Sequence, residues 1–136
     1  MAANFLVPAP MNLGAADGAN RNGTIFESSQ RTAAAYNSDE FHNPSALGVD
    51  IFVNVTAATG TVTVKLQKKD PVSGDWKDIA GATTAALSAD AAFTVYPGIA
   101  ETANVSISDH LGPVWRVVAT VATDVVTFSV GASYLG

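Results

Sequence analysis

No cysteine occurs in the sequence, which excludes disulfide staples and thiolate metal sites and leaves the compartment unread. Charge is also scarce. Only 14% of the 136 residues are charged, and seven Lys+Arg stand against twelve Asp+Glu, for a net charge of −5. That balance lacks the basic footprint with which a nucleic-acid binder displaces counterions, so no nucleic-acid partner is expected. No apolar run approaches the roughly 20 residues of a membrane span, so no membrane partner is expected either. The opening MAANFLVPAP has no basic n-region, and proline breaks its short apolar run, so it does not read as a signal peptide. The glycine patterns of P-loops and dinucleotide folds are missing, and no stretch carries a convincing helical period.

What the chain does have is period-two alternation. In Val114 to Tyr134, Trp115, Val117, Ala119 and Val121 share one face, opposite Arg116 and Thr120. After a tight turn at Thr123-Asp124, Val126, Phe128, Val130, Ala132 and Tyr134 share a face, opposite Thr127, Ser129 and Ser133. This is the mark of strands with one buried side. Leu47 to Ala57 places Val49, Ile51, Val53 and Val55 on one side against Asp50, Asn54 and Thr56. Phe52 interrupts that polar side and marks a candidate contact surface. Thr61 to Lys69 turns Val62, Val64 and Leu66 inward, and with Gly60 before it the pattern predicts a hairpin over Leu47 to Lys69. Asp70 to Asp75 is a second turn, with Pro71 early and Gly74 free to take positive φ. Trp76 to Ala80 returns as a short strand. Thr24 to Tyr36 is an interrupted strand candidate, and Asn37 to Gly48 reads as a loop. Thr83 to Leu87 and Ala92 to Tyr96 are weaker, and Ile99 to Pro113 is a long connection with one helical turn or a crossover strand at Asn104 to Ile107. The count is seven to nine strands, which predicts an all-β antiparallel sandwich of jelly-roll or Ig-like type over residues 24–136.

Residues 1–23 have no period. Pro8 and Pro10 favour extended backbone, and Phe5, Leu6, Val7, Met11 and Leu13 are too apolar for a solvated tail. They predict an extended arm lying on its own sandwich or on a neighbouring subunit. Together with Phe52 they are the candidate partner-binding residues.

Chemistry is thin. His42 and His110 sit on separate loops, short of the converging ligands of a zinc site. Ser106, Ser108, Asp109 and His110 are too close in sequence to form a triad. Asp70, Ser73, Asp75 and Asp78 surround one turn without EF-hand spacing. No carboxylate pair flanks a cleft as in a glycosidase. No catalytic, metal or cofactor-binding residue is assigned, and the chain is not expected to be an enzyme. Trp76, Tyr96 and Trp115 are candidates for a sugar-binding platform, although alternation places Trp115 in the core and favours the core for Trp76.

Several short motifs stand in order along the chain: Phe41-His42-Asn43-Pro44, Gly48-Val49, Lys69-Asp70-Pro71-Val72-Ser73-Gly74 and Val95-Tyr96-Pro97-Gly98. Ala103-Asn104-Val105-Ser106, Trp115-Arg116-Val117 and Ser129-Val130-Gly131-Ala132-Ser133 follow. From Phe41 to the C-terminus the chain resembles small structural proteins encoded among the virion genes of tailed bacteriophages, especially those of actinobacterial hosts. The resemblance implies a capsid decoration (cement) protein made in the host cytoplasm and bound to the outer surface of the head. Its expected partners are the major capsid protein and further copies of itself, with a trimer as one candidate. A tail or head–tail junction protein is the alternative within that class, and a carbohydrate-binding module for host-surface adhesion is the alternative outside it.

Overall fold

The computed structural model describes residues 22–43 and 45–136. Among these there are ten strands: β1 (Asn22–Arg31), β2 (Ala34–Asn37), β3 (Phe41–His42), β4 (Gly48–Ala58) and β5 (Thr61–Lys69), then β6 (Trp76–Thr83), β7 (Ala91–Val95), β8 (Ser106–Ile107), β9 (Val114–Ala122) and β10 (Val126–Leu135). The expected arm lies outside the described residues except for Asn22 and Gly23, which already belong to β1 and pair with Ser133 and Ala132.

The strands form two sheets. The first has the order β1-β10-β4-β7-β8; the second has the order β2-β9-β5-β6, with β3 also on β9. Every pairing is antiparallel except β7 with β8. This order is that of a jelly roll. The chain behaves as one long hairpin whose tip is the turn between β5 and β6. Its arms pair as β1 with β10, β2 and β3 with β9, and β4 with β7, and the hairpin is then rolled so that β10 meets β4 and β9 meets β5. Two expected hairpins are therefore corrected. β4 and β5 lie in opposite sheets, as do β9 and β10, and the short loops between them cross the sandwich instead of pairing their neighbours. Alternation shows which side of a strand is apolar; it does not show which strand lies alongside. The strand count exceeds the expected range because of β3 and β8, each of two residues.

The core lies between the sheets and is built from the inward positions that alternation identifies. Val62, Val64 and Leu66 of β5, Val49 and Ile51 of β4, and Val126, Phe128 and Val130 of β10 are all buried. At one end Trp115 is enclosed by Phe41, at 5.1 Å between ring centroids, and by an edge-on Tyr134 at 5.8 Å. The Trp115 Nε1–H donates to the Tyr134 hydroxyl at 3.0 Å across the sandwich. Burial pushes the Tyr134 phenol up to about 12, against the smaller opposing effect of that hydrogen bond. The β1–β2 side is closed by Arg31. Its guanidinium stands 4.6 Å from the Phe128 ring centre and 5.3 Å from that of Phe26, and it donates to the Phe128 and Glu27 carbonyls at 3.1 and 3.0 Å.

Sheet edges are blunted. β1 carries two register shifts, β6 carries one, and β2, β3 and β8 are very short. Such edges resist pairing with another chain, so association has to use faces or tips.

Candidate functional site

The motif residues that suggest a family turn out to position backbone. Asn43 closes its loop, with Nδ2 donating to the Ala46 carbonyl at 2.9 Å and Oδ1 accepting from the Ala46 N–H at 2.8 Å. Asp70 organises the β5–β6 turn: its Oδ1 accepts from the Val72 N–H at 2.8 Å, and that bond and the one from the Ser73 N–H hold its carboxyl below the usual range. Gly74 has φ +80°, as the turn requires. Asp70 is thus occupied by its own turn, and no group of three or more metal-ligating side chains occurs among the described residues. The serines of the Ile99–Pro113 connection are also occupied: Ser106 Oγ donates to the Ala100 carbonyl at 2.8 Å, and Ser108 Oγ accepts from the Gly98 N–H at 2.9 Å. The histidines each stand 3.4 Å from a neighbouring carboxylate, His42 from Glu40 and His110 from Asp109.

What remains is surface, and the two outer faces differ. On the first sheet, the outward positions of β10, β4 and β7 run in rows across the strands. One row is Leu135, Gly48 and, just beyond β7, Tyr96; the next is Ser133, Asp50 and Thr94; the third is Gly131, Phe52 and Ala92, with Thr24 of β1 beside Gly131. Gly48 is obligatory here, because a Cβ would lie 2.0 Å from the Val95 carbonyl oxygen and 2.9 Å from the Tyr96 ring. Asp50 is the one charged residue at these outward positions, and the Thr94 hydroxyl donates to it. Asp90, in the loop before β7, accepts from the Val55 N–H at 2.8 Å and lies within hydrogen-bonding distance of the Asn54 amide. Phe52, the one predicted contact residue within the described residues, is 49% exposed between two of the smallest side-chain positions available. Phe5, Leu6, Val7, Met11 and Leu13 lie outside the described residues.

The outer face of the second sheet is charged and internally paired. Arg116 stacks 4.4 Å from the centre of the Trp76 ring, and Lys69 Nζ lies 5.7 Å from it. Arg116 Nε donates to Gln67 Oε1 at 2.9 Å, and Gln67 Nε2 donates to Asp78 Oδ1 at 2.9 Å. Lys65 pairs with Asp78 at 3.1 Å and Lys69 with Glu40 at 3.0 Å. Hydrogen bonding from Gln67 foremost, and from Lys65, lowers the Asp78 carboxyl; the Lys69 hydrogen bond lowers that of Glu40. Trp76 is therefore a half-buried outer residue, not a core one, and cations already occupy the surface a sugar ring would need. Trp115 is in the core as alternation requires.

Magnitudes separate the faces as contact surfaces. Covering the exposed half of Phe52, about 100 Å², returns about 2.5 kcal/mol. The ion pairs of the second face contribute about 0–1 kcal/mol each while hydrated, and a partner covering them has to desolvate both members. The first face is the better candidate. Alternation alone flagged Phe52; Tyr96 shares the parity of Ala92 and Thr94, and Leu135 that of Ser133, so both were within reach of the same signal. The Arg116–Trp76–Gln67 contact needed the β9–β5–β6 pairing, which no local pattern carries.

No protein-family model matches the chain, and no curated protein matches it.

Proposed function

We propose that the protein is a structural virion component of a tailed phage, a decoration protein that binds the assembled head lattice and stabilises it. The observation that carries this reading is the outer face of the first sheet: built mostly from small side chains, with Asp50 its one charged outward residue on β10, β4 and β7, and centred on a half-exposed Phe52, on a jelly roll whose edges are blunted. The order of the turn motifs from Phe41 onward adds to it, as does the jelly-roll architecture, which viral capsid proteins share with lectins and other unrelated proteins, so that it supports by analogy only. A lattice repeats its sites, so contacts of modest strength at such a face are multiplied by avidity. On this reading the function consists of adhesion and bridging.

Quantitative mass spectrometry of purified particles tests the reading. Copies equal to those of the major capsid protein, or a simple fraction of them, are the expected result. A few to a few tens of copies would assign the chain to the tail or neck, and absence from particles would remove the virion reading. Deletion of residues 1–21 is expected to abolish particle binding while preserving the sandwich. The deletion stops before Asn22 because β1 begins there.

A further inference from the structure

We infer that the outer face of the first sheet takes a protein surface that sets an arginine against Asp50, between the rings of Phe52 and Tyr96. This rests on the lattice reading and deepens it by naming the chemistry that the partner presents.

Asp50 stands at the centre of the face. β4 is the middle strand of its sheet, and Asp50 is half-buried and points outward from it. The carboxylates around the second face and at the foot of β7 are answered from within the chain. Asp78 receives Gln67 and Lys65, Glu40 receives Lys69, and Asp90 receives the Val55 N–H. Asp50 receives the Thr94 hydroxyl alone, and among the described residues no lysine or arginine reaches it. One hydroxyl leaves most of the acceptor capacity of a carboxylate open. A partner covering Asp50 with apolar or neutral groups would strand its charge, so the chemistry that fits is a cation.

The rings choose the cation. Phe52 is two residues from Asp50 along β4, and Tyr96 lies opposite Gly48, two residues the other way. Each ring's row is about 7 Å from that of Asp50. The Tyr96 ring leans over Gly48, which has no side chain to hold it off. Among the described residues neither ring carries a cation, whereas Trp76 has Arg116 at 4.4 Å and Phe128 has Arg31 at 4.6 Å. A guanidinium stacks on a ring while its planar fork meets a carboxylate; an ammonium is a strongly hydrated point charge without that fork. The same two contacts argue against a second copy as the source, because both arginines among the described residues are already stacked on rings of their own chain.

Heads lacking this protein provide the test. They are titrated with full-length wild type, Asp50→Asn and Asp124→Asn proteins, each first checked for a native unfolding transition. Asparagine keeps an acceptor for the Thr94 hydroxyl. Asp124, exposed in the loop between β9 and β10, makes the same change in net charge away from the face. Asp50→Asn is expected to weaken binding about thirtyfold or more and Asp124→Asn less than about twofold, with added salt weakening wild type more than Asp50→Asn. Phe52→Leu is expected to cost at least about threefold more in the wild-type chain than in the Asp50→Asn chain, because both side chains hold one cation. Binding by Asp50→Asn equal to or tighter than that of wild type would overturn the inference and leave the lattice reading standing. A loss on Asp50→Asn without the difference in salt response would point to a neutral hydroxylated ligand such as a saccharide, and would overturn it too. So would additive losses for Phe52→Leu and Asp50→Asn. Heads that do not take up wild type would remove the lattice reading, and this inference with it.

Discussion

β4 and β5 follow each other along the chain, show the same alternation and bury the same kind of side chain, yet they turn different chemistry outward. β4 presents Gly48, Asp50, Phe52 and Asn54; β5 presents Thr63, Lys65, Gln67 and Lys69. The neighbours extend the contrast. Around Phe52 stand glycine, alanine, serine, threonine and one carboxylate, Asp50, whereas around Gln67 stand Arg116 and Asp78, joined to it by hydrogen bonds, and Trp76, stacked on Arg116. The two faces are back to back, so one partner surface cannot cover both. The sandwich thus separates an apolar, nearly uncharged side from a side whose charges satisfy one another, and the proposed decoration role would turn the first toward a neighbour and the second toward solvent.

The largest expected effect that sharpens this contrast is at Gly48→Ala. The new Cβ meets the Val95 carbonyl and the Tyr96 ring, with no flexible neighbour to give way. Denaturant unfolding should show a loss of about 3 kcal/mol or more. Phe52→Ser, four residues along on the same face, should cost less, about 1–2 kcal/mol, because half of its ring is already exposed.

The layer between the faces gives the next effect. Tyr134 has a raised phenol pKa in the fold, so the stability it contributes is full below its ordinary value near 10 and is lost as the pH rises toward about 12. The loss across that window should reach about 2–3 kcal/mol. Tyr134→Phe should remove that part of the alkaline slope, at the cost of leaving the Trp115 Nε1–H without its partner.

Smaller effects belong to the charged face. A double-mutant cycle on Trp76→Ala and Arg116→Ala should give a coupling of about 0.5–1 kcal/mol. Lys65→Met should cost less than about 0.5 kcal/mol, and added salt should mask most of it. Were the second face to lose several kcal/mol on these changes, its network would be structural and the contrast would need redrawing.

Local pattern carried the burial of the sandwich but not its winding. The inward sets of β9 and β10 were legible from alternation because burial on one side forces it, and the β5–β6 turn was legible because Asp70, Pro71 and Gly74 each have a local reason to be there. The partnerships β4–β10, β5–β9 and β2–β9 join residues far apart in sequence, and short loops at Thr59-Gly60 and Thr123–Val125 look the same whether they turn within a sheet or cross between sheets. Phe52 was legible as an exception to its own strand. Its setting among Gly131 and Ala92 was not, since those residues become neighbours only through β10 and β7.

The most direct test of the central claim is binding to phage heads that lack this protein, scored as copies bound per particle. Full-length wild type, Phe52→Asp and Trp76→Ala/Arg116→Ala proteins would be compared, each first checked for a native unfolding transition. The account predicts that Phe52→Asp loses binding and that the double variant of the second face binds like wild type. Full binding by Phe52→Asp, or loss confined to the double variant, would contradict it.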